Sequence, residues 1–191
     1  MLKQDFQNLK TNTVRGMLCV GRCLETGDGV GKDQAEAVKW YRLAAELGSK
    51  EAAFELSKCY TFGFGVRKNS VTSTKWLRKA AEQGHVPAMI LLGLRYQRET
   101  GISVDYNQRE AVKWFRMAAE RGDAKAMFEL GNCYETGTGV KKDPDKAYMW
   151  FCRATLTAPE DEDLYQKVQN RVFDPNLKAV REELLADKKQ S

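Results

Sequence analysis

Between residues 126 and 134 the chain places Ala126, Leu130 and Tyr134 at i, i+4 and i+8, with the small Gly131 beside Leu130. That spacing predicts an amphipathic helix with one side able to approach a neighbour closely. The same frame occurs three more times: Ala88, Leu92, Gly93 and Tyr96; Ala52, Leu56, Ser57 and Tyr60; Gly16, Val20, Gly21 and Leu24. A glycine-rich turn follows each, from Thr26 to Val30, Phe62 to Val66 and Thr136 to Val140. Its first glycine suits a left-handed helix C-cap. The third unit departs, with Gly101, Ile102, Ser103 and Val104 and two extra residues before the turn. A second helix is predicted to start at Asp33, Asn69, Asn107 and Asp143, all good N-cap residues. Glu36 and Glu110 complete capping-box spacings, and Pro144 stands where a first-turn proline costs no hydrogen bond.

The second helices repeat a bulky pair and a small pair: Ala37, Trp40, Tyr41, Ala44 and Ala45, then Ala111, Trp114, Phe115, Ala118 and Ala119. Trp40, Trp76, Trp114 and Trp150 lie 36, 38 and 36 residues apart. A fixed period of this length marks a stacked helical array. The four indoles recur with the scaffold, so they are expected to be core packing and not an aromatic ligand box.

The succession A-x-x-x-L-G-x-x-Y, G-x-G-V, K-D-x-x-x-A-x-x-W and A-A-x-x-G resembles the Sel-1-like repeat, a relative of the tetratricopeptide repeat, over residues 14–158. Departures are Gly16 and Leu24, Ser73, Ser103 and Thr155. The resemblance implies an all-α solenoid of about four helix-turn-helix repeats (14–48, 49–84, 85–122 and 123–158), stacked as a right-handed superhelix with a concave face. It also implies a protein-protein interaction adaptor or scaffold. Residues 1–13 are expected to form an N-terminal cap, with Phe6 and Leu9 in a short helix. Residues 159–191 are expected to hold C-terminal capping helices. The acidic start from Glu160 to Asp163 suits one helix N-terminus, with Leu164, Val168 and Val172 on its apolar face. Asp174 and Pro175 would open the next, with Leu177, Val180, Leu184 and Leu185.

The net charge of +5 arises from 31 basic and 26 acidic residues, read as scattered and not as a nucleic-acid stripe. No apolar run is long enough to insert in a membrane, and the N-terminus has no signal-peptide pattern, which points to the cytoplasm. A secreted or periplasmic effector of the same fold is the alternative. Five cysteines, Cys19, Cys23, Cys59, Cys133 and Cys152, cannot all pair. Cys23, Cys59 and Cys133 share one repeat position, which Arg95 holds in the third repeat, and equivalent positions on neighbouring units lie about 8–10 Å apart, so free packed thiols are expected.

No cofactor or metal is expected. His85 is the sole histidine and sits in a turn with Gly84 and Pro87, without a second histidine for a catalytic dyad. The run from Gly27 to Lys32 lacks the glycine spacing and the Ser/Thr of a phosphate loop. Asp161 and Asp163 lack the glycine and distal glutamate of a calcium loop. A hydrolase on this scaffold is therefore the minor alternative to an adaptor.

In a tetratricopeptide-like stack the first helices line the groove. Two positions before the repeated leucine are Leu18, Phe54, Ile90 and Phe128, and two after it are Arg22, Lys58, Leu94 and Asn132. These form an expected apolar ladder beside a polar, partly basic one, suited to an extended peptide or a partner helix. The competing reading makes the apolar ladder the edge of the inter-repeat core. Self-association through an uncapped end is a further expectation.

Overall fold

The computed structural model describes residues 14–97 and 107–172. Among the described residues there are nine helices and no strand, so the fold is all-α. They are α1 (Val14–Thr26), α2 (Gln34–Glu46), α3 (Lys50–Phe62), α4 (Ser70–Glu82), α5 (Val86–Gln97), α6 (Gln108–Ala119), α7 (Ala124–Thr136), α8 (Pro144–Thr157) and α9 (Glu162–Gln169). The expectations for the N-terminal segment, the third turn and the helix after Pro175 fall outside the described residues. Two compact units divide the chain, one holding residues up to 92 and the other 93–97 and 107–172 of those described.

In the first unit α1 packs on α2, α2 on α3, and α3 on α4. In the second, α6 packs on α7, α7 on α8, and α8 on α9. Each second helix begins at the expected cap: the side chains of Asp33, Asn69, Asn107 and Asp143 accept from the backbone N–H three residues on. Such a bond satisfies one of the orphan donors of a helix start and contributes about 1 kcal/mol.

The core differs from the sequence expectation at the tryptophans. Trp40, Trp76, Trp114 and Trp150 are all only half-buried. The residues that follow them, Tyr41, Leu77, Phe115 and Phe151, are fully buried. The buried face of α2 comprises Ala37, Val38, Tyr41, Ala44 and Ala45, so its centre lies on Tyr41 and the indole falls on the flank. There the exposed indole face receives cations: Lys79 lies 4.9 Å over Trp76 and Arg153 4.8 Å over Trp150.

The fully buried ring meets the small residue of the first helix. A Cβ on Gly21 would lie 2.5 Å from Tyr41, one on Gly93 2.6 Å from Phe115, and one on Gly131 2.6 Å from Phe151. Only the second repeat has a serine there, Ser57, and only that repeat has a leucine, Leu77, in place of the ring. Its buried polar atoms are satisfied. Ser57 donates to the Phe54 carbonyl, and Ser73, which departs from the repeat alanine, donates to the Ser57 carbonyl at 2.8 Å. Thr155, another departure, is buried and donates back to the Phe151 carbonyl.

Turns join consecutive repeats by backbone contact. Gly65 (φ +66°) lies against α2, where a Cβ would come 2.0 Å from the Gln34 carbonyl oxygen. Gly139 (φ +72°) meets Gln108 in the same way at 2.2 Å. Side chains repeat the link: Arg42 donates to the Tyr60 hydroxyl at 2.7 Å, and Arg116 to that of Tyr134 at 3.0 Å. At the C-terminal end Leu164, Tyr165 and Val168 of α9 are buried, with Val168 packed in a cluster with Ala147 and Phe151. Arg171 pairs with Glu135 and holds the end of this cap to α7.

Candidate functional site

In the first unit the face proposed from the sequence is built by α1, α3 and the start of α5. Leu18, Phe54 and Ile90 are half-buried there, while Val20, Leu56 and Leu92, two positions on, are buried. Leu18 and Phe54 thus lie on the rim, neither sealed in the core nor fully free.

The basic ladder is modified by a residue that the sequence reading missed. Glu55, on α3, lies 3.9 Å from Arg22 of α1 and 2.5 Å from Lys58 of its own helix. The Lys58 ammonium also stands 5.7 Å from the centre of the Phe54 ring. Glu55 therefore offsets one of the two positive charges and ties α1 to α3. The available signal was the i, i+3 spacing of Glu55 and Lys58.

His85 also has a role that its turn location did not reveal. Its Nδ1 accepts the Ala88 N–H at 3.2 Å, so the imidazole caps α5 as Ser49 caps α3 and Asp123 caps α7. Repeat register aligns the three residues and could have shown this. The ring lies 4.6 Å from that of Phe54. Burial lowers its pKa from the usual histidine value, against the opposite pull of Glu51 and Glu55. A proton on Nδ1 would remove the cap and put a cation at a helix N-terminus, so the geometry favours neutral imidazole.

In the second unit Leu94, Phe128 and Asn132 are half-buried. Phe128 leans on Phe151 at 5.4 Å between centroids, which joins it to the cap cluster. Asn132 donates to Glu129, while its carbonyl oxygen is buried without a partner among the described residues. An unmet acceptor of this kind costs about 1–3 kcal/mol.

None of the five cysteines is in a disulfide. Burial pushes Cys59 and Cys133 up to about 12, which makes them packing groups and not nucleophiles. Among the described residues no His, Cys, Asp and Glu side chains are grouped to hold a metal ion, and no helix is long and apolar enough to cross a membrane.

Comparison with known proteins agrees with this architecture. The Sel1 repeat family model matches residues 16–49, 50–85, 86–123 and 124–156. A Sel1 repeat protein from Oxalobacter formigenes is 35% identical, with a TM-score of 0.73, over 82% of this chain and 69% of that one. A protective antigen of uropathogenic Escherichia coli with an SLR fold is 34% identical, with a TM-score of 0.71, over 75% of this chain; the match spans 30% of the antigen. Helicobacter pylori cysteine rich protein B shares the fold at 23% identity and a TM-score of 0.53, over 71% of this chain and 94% of that protein. No curated protein matches the chain. Four consecutive matches, together with the ring-on-glycine packing inside the repeats, show that the chain belongs to the Sel1 repeat family.

Proposed function

We propose that this protein is a non-enzymatic adaptor that binds an extended peptide or a partner helix on the exposed faces of its first helices. The observation that carries this reading is the side-by-side placement of α1 and α3, linked through Arg22 and Glu55, with Leu18 and Phe54 left half-buried beside that pair. Apolar anchors flanked by polar groups are what a groove for an amphipathic segment requires. The face around Phe128 and Asn132 in the second unit offers the same chemistry on its own.

Selection of peptides from a displayed random library on the full chain tests the proposal. Enriched peptides should bind at least about tenfold more weakly to Phe54→Ala or to the Arg22→Glu, Lys58→Glu double variant, both checked for native helicity. Arg22 is exposed, so its replacement carries little folding risk. Peptides that bind all variants equally would overturn this site.

A further inference from the structure

The chain's net charge is not spread evenly. Residues 56–81 hold Lys58, Arg67, Lys68, Lys75, Arg78 and Lys79 and no Asp or Glu. The aligned stretch 20–45 has four residues of each sign, and 130–155 has four basic and three acidic. The scatter expected from the whole sequence thus conceals one cationic stretch, bounded by Glu55 and Glu82. The first and third repeats neutralise the lysine before their tryptophan within the helix: Lys39 pairs with Glu36, and Lys113 with Glu110. In the second repeat Thr72 takes the glutamate's place, and no carboxylate among the described residues lies within salt-bridge distance of Lys75, Arg67 or Lys68.

The same repeat exposes its largest apolar side chains at the turn. Phe62 is 54% exposed and Phe64 38%, with their rings stacked at 5.5 Å. The corresponding residues are Thr26 and Asp28 in the first repeat and Thr136 and Thr138 in the fourth, so the turn itself does not need rings. Val71, in the first turn of α4, is also exposed. Beside the rings the Lys68 stem lies against Gly63, and a recess of about 580 Å³ opens between Tyr60, Val66, Arg67, Lys68 and Asn69. On α2, whose start meets this turn at Gly65, Asp33 caps the helix and Glu36 pairs with Lys39.

We propose that this turn is a docking surface for an acidic peptide segment carrying one apolar anchor. The Phe62–Phe64 pair receives the anchor, and Arg67 and Lys68 receive carboxylates at the recess. Charge complementarity selects an acidic occupant, and the apolar rings select a side chain over a phosphate backbone. A recess also fits a discrete side chain better than the plane of a lipid headgroup layer. Phe62, Phe64, Arg67 and Lys68 are none of the residues named for the Phe54 face, so substituting them tests this surface.

The test measures anisotropy of a short dye-labelled polyglutamate peptide with one central tryptophan, added to the full chain. Binding should weaken at least about tenfold in Phe62→Thr, Phe64→Thr and in Arg67→Glu, Lys68→Met, and should stay within about twofold in Lys125→Glu, an exposed position in the second unit. The threonines copy the fourth repeat and Met keeps the Lys68 stem, so both variants should retain the wild-type melting temperature. Equal binding by all variants would overturn the proposal. So would preference of the turn for single-stranded DNA or phosphatidylserine vesicles over the peptide, or self-association abolished by the same substitutions.

Discussion

Gly131→Ala puts the ring-on-glycine packing at risk by adding one methyl group. That methyl would lie 2.6, 2.7 and 3.1 Å from three atoms of the Phe151 ring, whereas carbon atoms rest at about 3.5–4.0 Å. The ring must therefore retreat by about 1 Å. Phe151 is 1% exposed and is held between Ala147, Val168 and Phe128, so it has nowhere open to go. Overpacking of this kind costs about 1–3 kcal/mol. Alanine returns about 1 kcal/mol through its higher helix propensity. The expected net loss is up to about 2 kcal/mol, or up to about 8 °C in melting temperature by circular dichroism. The second repeat supplies the compensating partner, since Ser57 stands against Leu77 there. Gly131→Ser with Phe151→Leu should be more stable than the sum of its single variants by about 1 kcal/mol or more. A higher melting temperature in Gly131→Ala, or strict additivity in the double variant, would refute the reasoning.

Gly65→Ala should cost more than Gly48→Ala when compared by urea unfolding. Both glycines have positive φ and share a left-handed penalty of about 1–2 kcal/mol, but only Gly65 adds a clash with the Gln34 carbonyl, while Gly48 faces open space. Stability should fall on acidification below about pH 6.5 through His85, because its lowered folded pKa means that the unfolded chain binds the proton first. That contribution is complete above the unfolded value and is lost as pH drops towards the folded one. His85→Asp, which copies the Asp123 cap with an acceptor that stays ionised over this range, should flatten this part of the melting-temperature profile between pH 7.5 and pH 5.5; an unchanged profile would show that His85 is not the group. In native protein a thiol reagent should modify the exposed Cys19 quickly, and Cys59 and Cys133 only at the rate of unfolding, read by peptide mapping. Rapid modification of all three would contradict their burial.

The elements and their ends were legible because each rests on local chemistry. An Asp or Asn caps a helix within three residues, and a glycine ends one by its own backbone freedom, so α2, α4, α6 and α8 begin where residue type and period place them. Periodicity also identified the ladder residues Leu18, Phe54, Ile90 and Phe128, since a helical face is a property of spacing. It could not rank residues within a face. Trp40 and Tyr41 are both large and adjacent, and which one enters the core depends on where the facing helix brings Gly21. The partners of charged groups were equally out of reach. Glu55 meets Arg22 from another helix, and Asp33 and Glu36 are engaged away from the Phe62 turn, so net potential follows from three-dimensional pairing and not from composition. Sequence alone determined the repeat, its caps and its turns, because those interactions close within a few residues. Tertiary packing decided which ring is buried, what the Glu55 carboxylate meets and which cations stay unpaired, because each of these depends on a neighbour far along the chain.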